Sequence, residues 1–435
     1  MAVAENFVDQ AIARVRRRLV PFLLLMYVVS FLDRANIGFA KEALRASAGI
    51  SDATYAMGAG LFFLTYAIFE VPSNLILHRV GARVWMCRIM VSWGLVSMGT
   101  MFVAGPRSFY MLRLLLGIAE AGFFPGVILY LSYWFPNRVK GRILGLFYFG
   151  APLAFIFGGP LSGVLLDMPT SAGLRGWQWM FLLEGFLAVA VGIWAYLYLG
   201  DKPADASWLP NTEKQALLTV LQEEEQARRS YGSSAFPAVL TDWRVLHYVL
   251  IYFLIQMSVY GVVFYLPTEI ATLLGRSVGI EVGLVSAIPW VCAIAATYWI
   301  PRAADRHKNP RSLAVLVLIV SGLASAVFPT SVPMIALLAL CVAASGFIAV
   351  QPLFWTFPTG YLAGTAAAGG IAFINAMGAL GGFFAPNAKV WADAHFGSQR
   401  AGLYLLAGLT LANAVLIGFV RQRKSPGNSQ PRPSI

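Results

Sequence analysis

The chain has 435 residues, of which 58% are hydrophobic and 12% charged, with a formal net charge of +12 and a mean hydropathy of +0.69. Soluble domains carry about 25% charged residues, so an ordinary soluble enzyme is excluded at this length. The 32 Lys and Arg fall in the short gaps between apolar runs, not on one face or in one domain; this excludes a nucleic-acid partner and fits the positive-inside pattern of a protein embedded in a lipid bilayer.

In chain order, apolar runs lie near 19–40, 54–77, 84–104, 108–134, 143–166 and 177–199, and then near 244–268, 281–300, 312–330, 334–357, 365–386 and 401–420. Their length and low charge predict an all-α membrane protein with twelve transmembrane helices, and not the short alternating strands of a barrel. The expected organisation is an N-terminal tail (1–18), a six-helix bundle (19–199), a polar linker (200–243), a second six-helix bundle (244–420) and a C-terminal tail (421–435). The first run contains Asp33 and Arg34 and has no small-residue cleavage site after it, so it reads as a retained helix and not a signal peptide. A charge at the centre of a membrane helix costs roughly 2.5–3.5 kcal/mol on insertion scales. Two adjacent charges there predict a water-accessible cavity, where they pair with each other, a ligand or a proton.

Basic clusters set the orientation. Arg14, Arg16, Arg17 and Arg18 precede the first run; Arg79, Arg83 and Arg88 follow the second; Arg138, Lys140 and Arg142 follow the fourth. Arg302, Arg306, Lys308 and Arg311 follow the eighth, and Arg421, Arg423 and Lys424 the last. These all lie on one side if the runs alternate, which places both termini in the cytoplasm. In the linker, Thr212-Glu213-Lys214-Gln215 fits a capping box, and Leu217, Val220 and Leu221 follow at helical spacing, predicting a surface helix. Basic gaps at equivalent places after the second run (His78 to Arg83) and the eighth (Arg302 to Lys308) hint at two parallel six-helix repeats.

With these features the chain resembles the major facilitator superfamily over nearly its whole length. It is most similar to the anion:cation symporter branch, which includes tartrate, phthalate, hydroxyphenylacetate and sugar-acid permeases. The resemblance is carried by Asp33-Arg34-Ala35-Asn36-Ile37-Gly38, Glu70-Val71-Pro72-Ser73-Asn74, Gly117 to Gly126, Tyr133-Trp134-Phe135-Pro136, and Gly364 to Gly370 leading to Asn375. One departure stands out. The superfamily's loop between the second and third helices begins with Gly and carries an Asp before its Arg; here those places hold Asn74 and His78, while Arg79, Gly81 and Arg83 remain. The usual carboxylate contact of that loop is thereby in question.

The resemblance implies a substrate-binding role for Arg34, whose planar fork also suits a carboxylate, and coupling protons on Asp33 and Glu120. It further places a Trp and an Asn of the kind found at Trp355 and Asn375 beside the substrate. From the residues themselves, Arg113 lies two helical turns before Glu120 on about the same face, as a supporting ion pair or a further site residue. Tyr66 can offer a hydroxyl to the cavity or be a satisfied core tyrosine. Gln256 and Tyr260 are i and i+4 in the seventh run, either polar contacts or interhelical hydrogen bonds. Gln351 and Trp355 share a face beside Pro352 in the tenth run, which suggests a broken, cavity-lining helix. The plain alternative for Arg34 is an internal ion pair with Asp33 or another helix. Glu70 and Glu184 read as structural residues near helix ends, Trp85, Trp134, Trp177, Trp179 and Trp299 as interfacial aromatics, and the glycines at 145, 158, 159, 163, 381 and 382 as packing surfaces.

Cys87, Cys292 and Cys341 have no paired spacing, the four His have no ligand spacing, and no phosphate-cradling Gly-Lys-Ser or Gly-Lys-Thr occurs. No cofactor, metal or catalytic set is therefore expected. The sequence reads as a secondary transporter that takes up a small organic carboxylate with protons by alternating access, monomeric, in a bacterial inner membrane, the bacterial placement coming from the resemblance. Sodium coupling and anion exchange remain open as alternatives within transport, and a membrane-embedded enzyme or channel as the alternative from another class. An enzyme should show clustered nucleophile or metal ligands, and a channel conducts without saturable, gradient-driven uptake.

Overall fold

The computed structural model describes residues 2–230, 240–307, 309–330, 332–362 and 364–420. Lys308, part of the linker (231–239) and the C-terminal tail with Arg421, Arg423 and Lys424 lie outside the described residues. Among the described residues the chain is all helix, apart from one isolated bridge between Ser171 and Leu174. Twelve helices are long and apolar enough to cross a membrane: Asn6–Phe39, Asp52–Val80, Ala82–Phe102, Pro106–Trp134, Asn137–Leu166, Gly176–Tyr198, Trp243–Leu274, Ile280–Ala304, Pro310–Val327, Pro333–Thr359, Gly369–His395 and Ala401–Gly418. They are called spans one to twelve. This is a multi-pass membrane protein.

The burial pattern is inverted relative to a soluble protein. Asp33, Arg34, Glu70, Arg113, Glu120, Glu184 and Lys389 are buried, while Leu75, Phe102, Leu197 and Trp299 are exposed. In lipid the outside is apolar, and polar groups survive only where protein surrounds them. Two of the tryptophans read as interfacial, Trp134 and Trp177, are buried inside the protein. Trp134 stacks on Trp208 at 5.8 Å between ring centroids, so contact with the start of the linker overrides the interfacial preference.

Helix ends follow local chemistry. Span two starts at Ser51, whose hydroxyl accepts from the Thr54 amide at 3.1 Å, and span seven at Asp242, which accepts from the Arg244 amide at 2.8 Å. The helix of span one begins at Ala2, so the expected N-terminal tail continues the span without a break. The linker helix spans Asn211–Ser230, which places Thr212 in its first turn. Glu213 pairs with Arg14 at 3.0 Å, and Leu217 is fully buried, docking this helix on span one.

Span four is interrupted: its first helix ends at Glu120 and its second begins at Phe123. Gly122 sits at φ +87°, and a Cβ there would lie 2.4 Å from Ser73 Oγ, so the break is built on glycine. Span ten, by contrast, runs as one helix (Pro333–Tyr361) through Pro352 and Pro358, against the expectation of a broken helix. Pro352 removes one backbone bond, and the carbonyl it frees, on Ile348, belongs to a residue lining the same cavity as Pro352. The cavity tolerates the loss without ending the helix.

The two sets of six spans meet through spans one and seven, two and eleven, and five and eight. At the ends distant from the chain termini the contacts are close. Tyr55 Oη donates to the Phe264 carbonyl at 3.2 Å, and Asp167 accepts from the Ile280 amide at 2.7 Å. A Cβ on Gly159 would lie 2.7 Å from the Gly283 oxygen, and one on Gly163 2.6 Å from the Gly279 oxygen, so spans five and eight touch backbone to backbone. Gly145, expected at such a contact, has nothing within 4 Å of an added Cβ. On the termini side of these contacts a cavity lies between the halves, with about 470 Å³ of empty space, open solvent included.

The departure in the loop after span two has a local answer. Asp201, just past span six, accepts from the Arg83 amide at 2.9 Å and packs against Gly81. The His78 ring meets the Tyr133 hydroxyl at 2.9 Å. A carboxylate therefore still anchors this loop, supplied from another part of the chain.

Candidate functional site

Tyr66, Glu120 and Tyr260 each lie near the centre of their spans, and Arg34 joins all three. Its Nε donates to Glu120 Oε1 at 2.7 Å and its terminal nitrogens reach Glu120 Oε1 at 2.5 Å and Tyr260 Oη at 3.1 Å. The guanidinium sits over the rings of Phe31, Tyr66 and Phe62 at 5.0, 5.1 and 5.4 Å. Ser30 Oγ adds a third donor to Glu120 Oε1 at 3.1 Å, while Oε2 has no partner. The bond to Tyr260 crosses between the halves, so Arg34 touches both of them. Of the readings open from sequence, the arginine is internally paired, but with Glu120 and not with Asp33. Successive residues on a helix diverge by about 100°, so neighbours in sequence face different ways.

Asp33 points into the first half. It accepts from Asn36 Nδ2 at 3.1 Å and from the Ser97 hydroxyl of span three, and its Oδ2 has no partner. Behind it lies Glu184, bonded to Ser162 at 3.0 Å and again with one orphan oxygen. Glu184 is therefore no helix-end residue; it is buried among spans, close enough to Asp33 for their charges to interact.

Arg113 does not form the expected pair with Glu120. Seven residues along a helix are about 10 Å, beyond the reach that Arg34 supplies from span one. Arg113 Nε donates instead to the Gly58 carbonyl at 3.3 Å and its guanidinium lies 5.0 Å from the Phe62 ring. Among the described residues it forms no salt bridge, though its charge is felt by Asp33 and Glu120.

Glu70, like Glu184, is not the helix-end residue expected from the sequence. Span two continues ten residues past it to Val80, so it is not near the helix end. It is buried, and its Oε1 accepts from Asn375 Nδ2 of span eleven at 2.9 Å, a further polar bond between the halves. Its Oε2 has no partner. The signal that could have found it is the one used for Asp33: an acid well inside an apolar run.

The cavity is walled by Tyr27, Phe31, Tyr148, Gln256, Tyr260 and Gln351, among others. Phe31 and Tyr260, both in contact with Arg34, form its inner wall. Gln256 Oε1 is buried without a partner, so Gln256 holds an unused acceptor here. Trp355 stands one turn beyond Gln351, outside the cavity lining. Its ring packs on Tyr252 at 4.9 Å, and its Nε1 has no partner. Of the predicted set, Arg34, Tyr66 and Glu120 converge and Gln256 lines the neighbouring cavity with Tyr260; Asp33 and Arg113 stand behind them in the first half; Asn375 and Trp355 lie in the second. Lys389, buried with Asp393 at 2.9 Å and Glu269 at 3.9 Å, was missed because span eleven runs nine residues past the apolar run that predicted it. It belongs to the far-end contact, where its ammonium lies 4.6 Å from the ring centroid of Tyr265.

Chemically, the arrangement holds a planar cation, paired with an internal carboxylate, directly behind Phe31 and Tyr260 of the cavity wall. Among the described residues no cluster of His, Cys, Asp and Glu suited to a metal occurs.

Comparison with known proteins supplies the context. A family model described as Major Facilitator Superfamily matches residues 23–386. The chain is 45% identical over 417 residues to the inner membrane transport protein RhmT of Escherichia coli K12, covering 96% of each chain. It is 42% identical over 426 residues to a protein of Agrobacterium vitis provisionally described as a tartrate transporter, covering 98% of this chain and 94% of that one. A crystal structure of a D-xylose-proton symporter superposes with a TM-score of 0.74 at 15% identity, covering 93% of this chain and 97% of that one. An inward open structure of the xylose transporter XylE from E. coli gives 0.76 at 14% identity, covering 95% and 98%. At these identities the structures establish the fold alone.

Proposed function

The chain belongs to the Major Facilitator Superfamily and is a transporter, not an enzyme, and on that premise we propose that it takes up a small organic carboxylate together with protons across a bacterial inner membrane, with both termini cytoplasmic. The observation that carries the anion is Arg34. It is buried, lies against Phe31 and Tyr260 of the wall of the cavity between the halves, and is bonded to both halves. A carboxylate entering the cavity competes with Glu120 for the guanidinium fork. It also bridges to Tyr260 and Gln256 of the second half, which favours closure around it. The name of the Agrobacterium relative points to the same class, with a hydroxylated dicarboxylate as the leading member.

Protons are favoured as the coupling ion by charge count. Asp33, Glu70, Glu120 and Glu184 are buried against Arg34 and Arg113, so the interior balances its charge by taking up protons or cations. Each of the four leaves one oxygen without a partner, an atom that a proton can occupy. In the cycle proposed, Asp33 and Glu120 hold the coupling protons, Arg34 holds the substrate, and Tyr66, Gln256, Asn375 and Trp355 complete the site. Protonation of Glu120 frees Arg34 for the substrate, so proton and anion favour each other.

Uptake into proteoliposomes under an inward pH gradient, with labelled tartrate, gluconate, phthalate and 4-hydroxyphenylacetate, tests this. Accumulation of one acid, abolished by a protonophore, is the expected result. Accumulation driven by a sodium gradient alone, or exchange without accumulation, would replace the proton claim.

A further inference from the structure

The bond between Glu70 and Asn375 is assigned no part in the cycle above. It joins residues 305 positions apart, from opposite halves. Glu70 is 2% exposed, with one oxygen bonded to Asn375 Nδ2 and the other without a partner. Asn375 is part-exposed at the boundary between the halves, and among the described residues its Oδ1 accepts no hydrogen bond from the protein.

An ionised carboxylate can only accept. While Glu70 is ionised, Asn375 must turn its NH2 to Glu70 and its carbonyl oxygen away from it, towards the substrate in the site proposed above. That oxygen repels an anion. A protonated Glu70 has an O–H to donate. It can then bond the amide oxygen instead, and a half-turn of the amide about its last side-chain torsion leaves the shape unchanged but presents the NH2 to an incoming carboxylate or hydroxyl.

We infer that Glu70 sets, by holding or lacking a proton, which end of the Asn375 amide faces the substrate, so that Asn375 is the part of the site that reads the proton. This inference rests on the carboxylate-transport reading and extends it. Glu70 acts as a positioning residue through Asn375. The charged and titratable neighbours that act on Glu70 are Arg34 from span one and Tyr66 from the same helix, with Glu120 behind Arg34; span eleven contributes the neutral Asn375. Proton and anion thereby favour each other across the boundary that opens and closes. The bond is also selective: with Glu70 ionised, Asn375 accepts only from a hydroxyl, so hydroxy acids retain a partner that plain carboxylates lose.

The test is equilibrium binding of tartrate, gluconate, phthalate and 4-hydroxyphenylacetate to the purified full chain, from about pH 5.5 to about pH 8.5. One linked proton makes affinity rise by up to about tenfold for each pH unit of acidification. In Glu70→Gln, the near-isosteric amide can donate to Asn375 Oδ1 at every pH. Its pH slope should fall by close to one proton, and its affinity at the alkaline end should exceed that of the wild type. Asn375→Ala should lose the same slope and bind more weakly at the acid end. Full wild-type slope in both variants, or pH-independent binding by the wild type, overturns the inference and leaves the carboxylate reading standing. Binding of none of the four acids by the wild type overturns that reading, and this inference with it.

Discussion

Replacing Arg34 by Lys keeps the charge and removes the fork. In the structure the guanidinium makes three contacts in two directions: two nitrogens to Glu120 Oε1 at 2.7 and 2.5 Å and a third to Tyr260 at 3.1 Å. It also lies within 5.4 Å of three aromatic rings. An ammonium at the end of a flexible stem can hold Glu120 but not Tyr260 at the same time. A hydrogen bond to a charged group contributes about 1.5–3 kcal/mol, which corresponds to about a 10- to 150-fold loss of affinity. Stability should change little, because Glu120 keeps a cationic partner. Isothermal titration of the acid that the uptake panel identifies, at matched pH for wild type and Arg34→Lys, measures the loss. A dissociation constant within about twofold of the wild type, on a protein that still unfolds cooperatively, would refute the claim that the planar fork binds the anion.

Asp33→Asn should abolish accumulation against a gradient while leaving counterflow exchange, because the side chain keeps its contacts with Ser97 and Asn36 but no longer carries a proton; uptake and counterflow measured on the same vesicles separate the two. Gly159→Val places side-chain atoms against the Gly283 carbonyl, where a Cβ alone would sit at 2.7 Å. Backbone cannot yield there, so distances between spin labels at the far ends of spans five and eight should lengthen and transport should fall. Asp242→Ala removes the cap on the Arg244 amide and the 2.6 Å bond from Tyr361, lowering stability by about 1 kcal/mol, read as a drop in thermal midpoint. The Tyr361 bond holds the Asp242 carboxyl below the usual carboxylate range. Its contribution is therefore full above an unfolded value of about 3.9 and is lost as pH falls through the lowered folded value; the mutant and wild-type midpoints should converge at acid pH.

Each span was legible because its signal is local. Twelve apolar runs predict twelve helices, and most boundaries agree within a few residues, since lipid demands that every backbone group be bonded within its own segment. The exceptions come from contacts that no window of sequence contains. Span eleven extends past its apolar run because Lys389 is paired with Asp393 and Glu269. Trp134 leaves the interfacial belt because Trp208 stacks on it. Span ten stays whole through Pro352 because a cavity accepts the freed carbonyl.

The candidate site divides the same way. Asp33, Arg34 and Glu120 announce themselves in the sequence, because a charge in an apolar run carries a cost that some function must offset. Which acid meets Arg34 could not be read there. Adjacent residues on a helix face different directions, and Glu120, 86 positions away, arrives only when span four packs beside span one. Glu70 looked like a residue near a helix end until span eleven brought Asn375 to it. The sequence by itself determined the number of spans and the charges they must bury, because those depend on composition along one helix. Only the tertiary structure decided the pairings, because a pairing depends on which faces of separate helices meet.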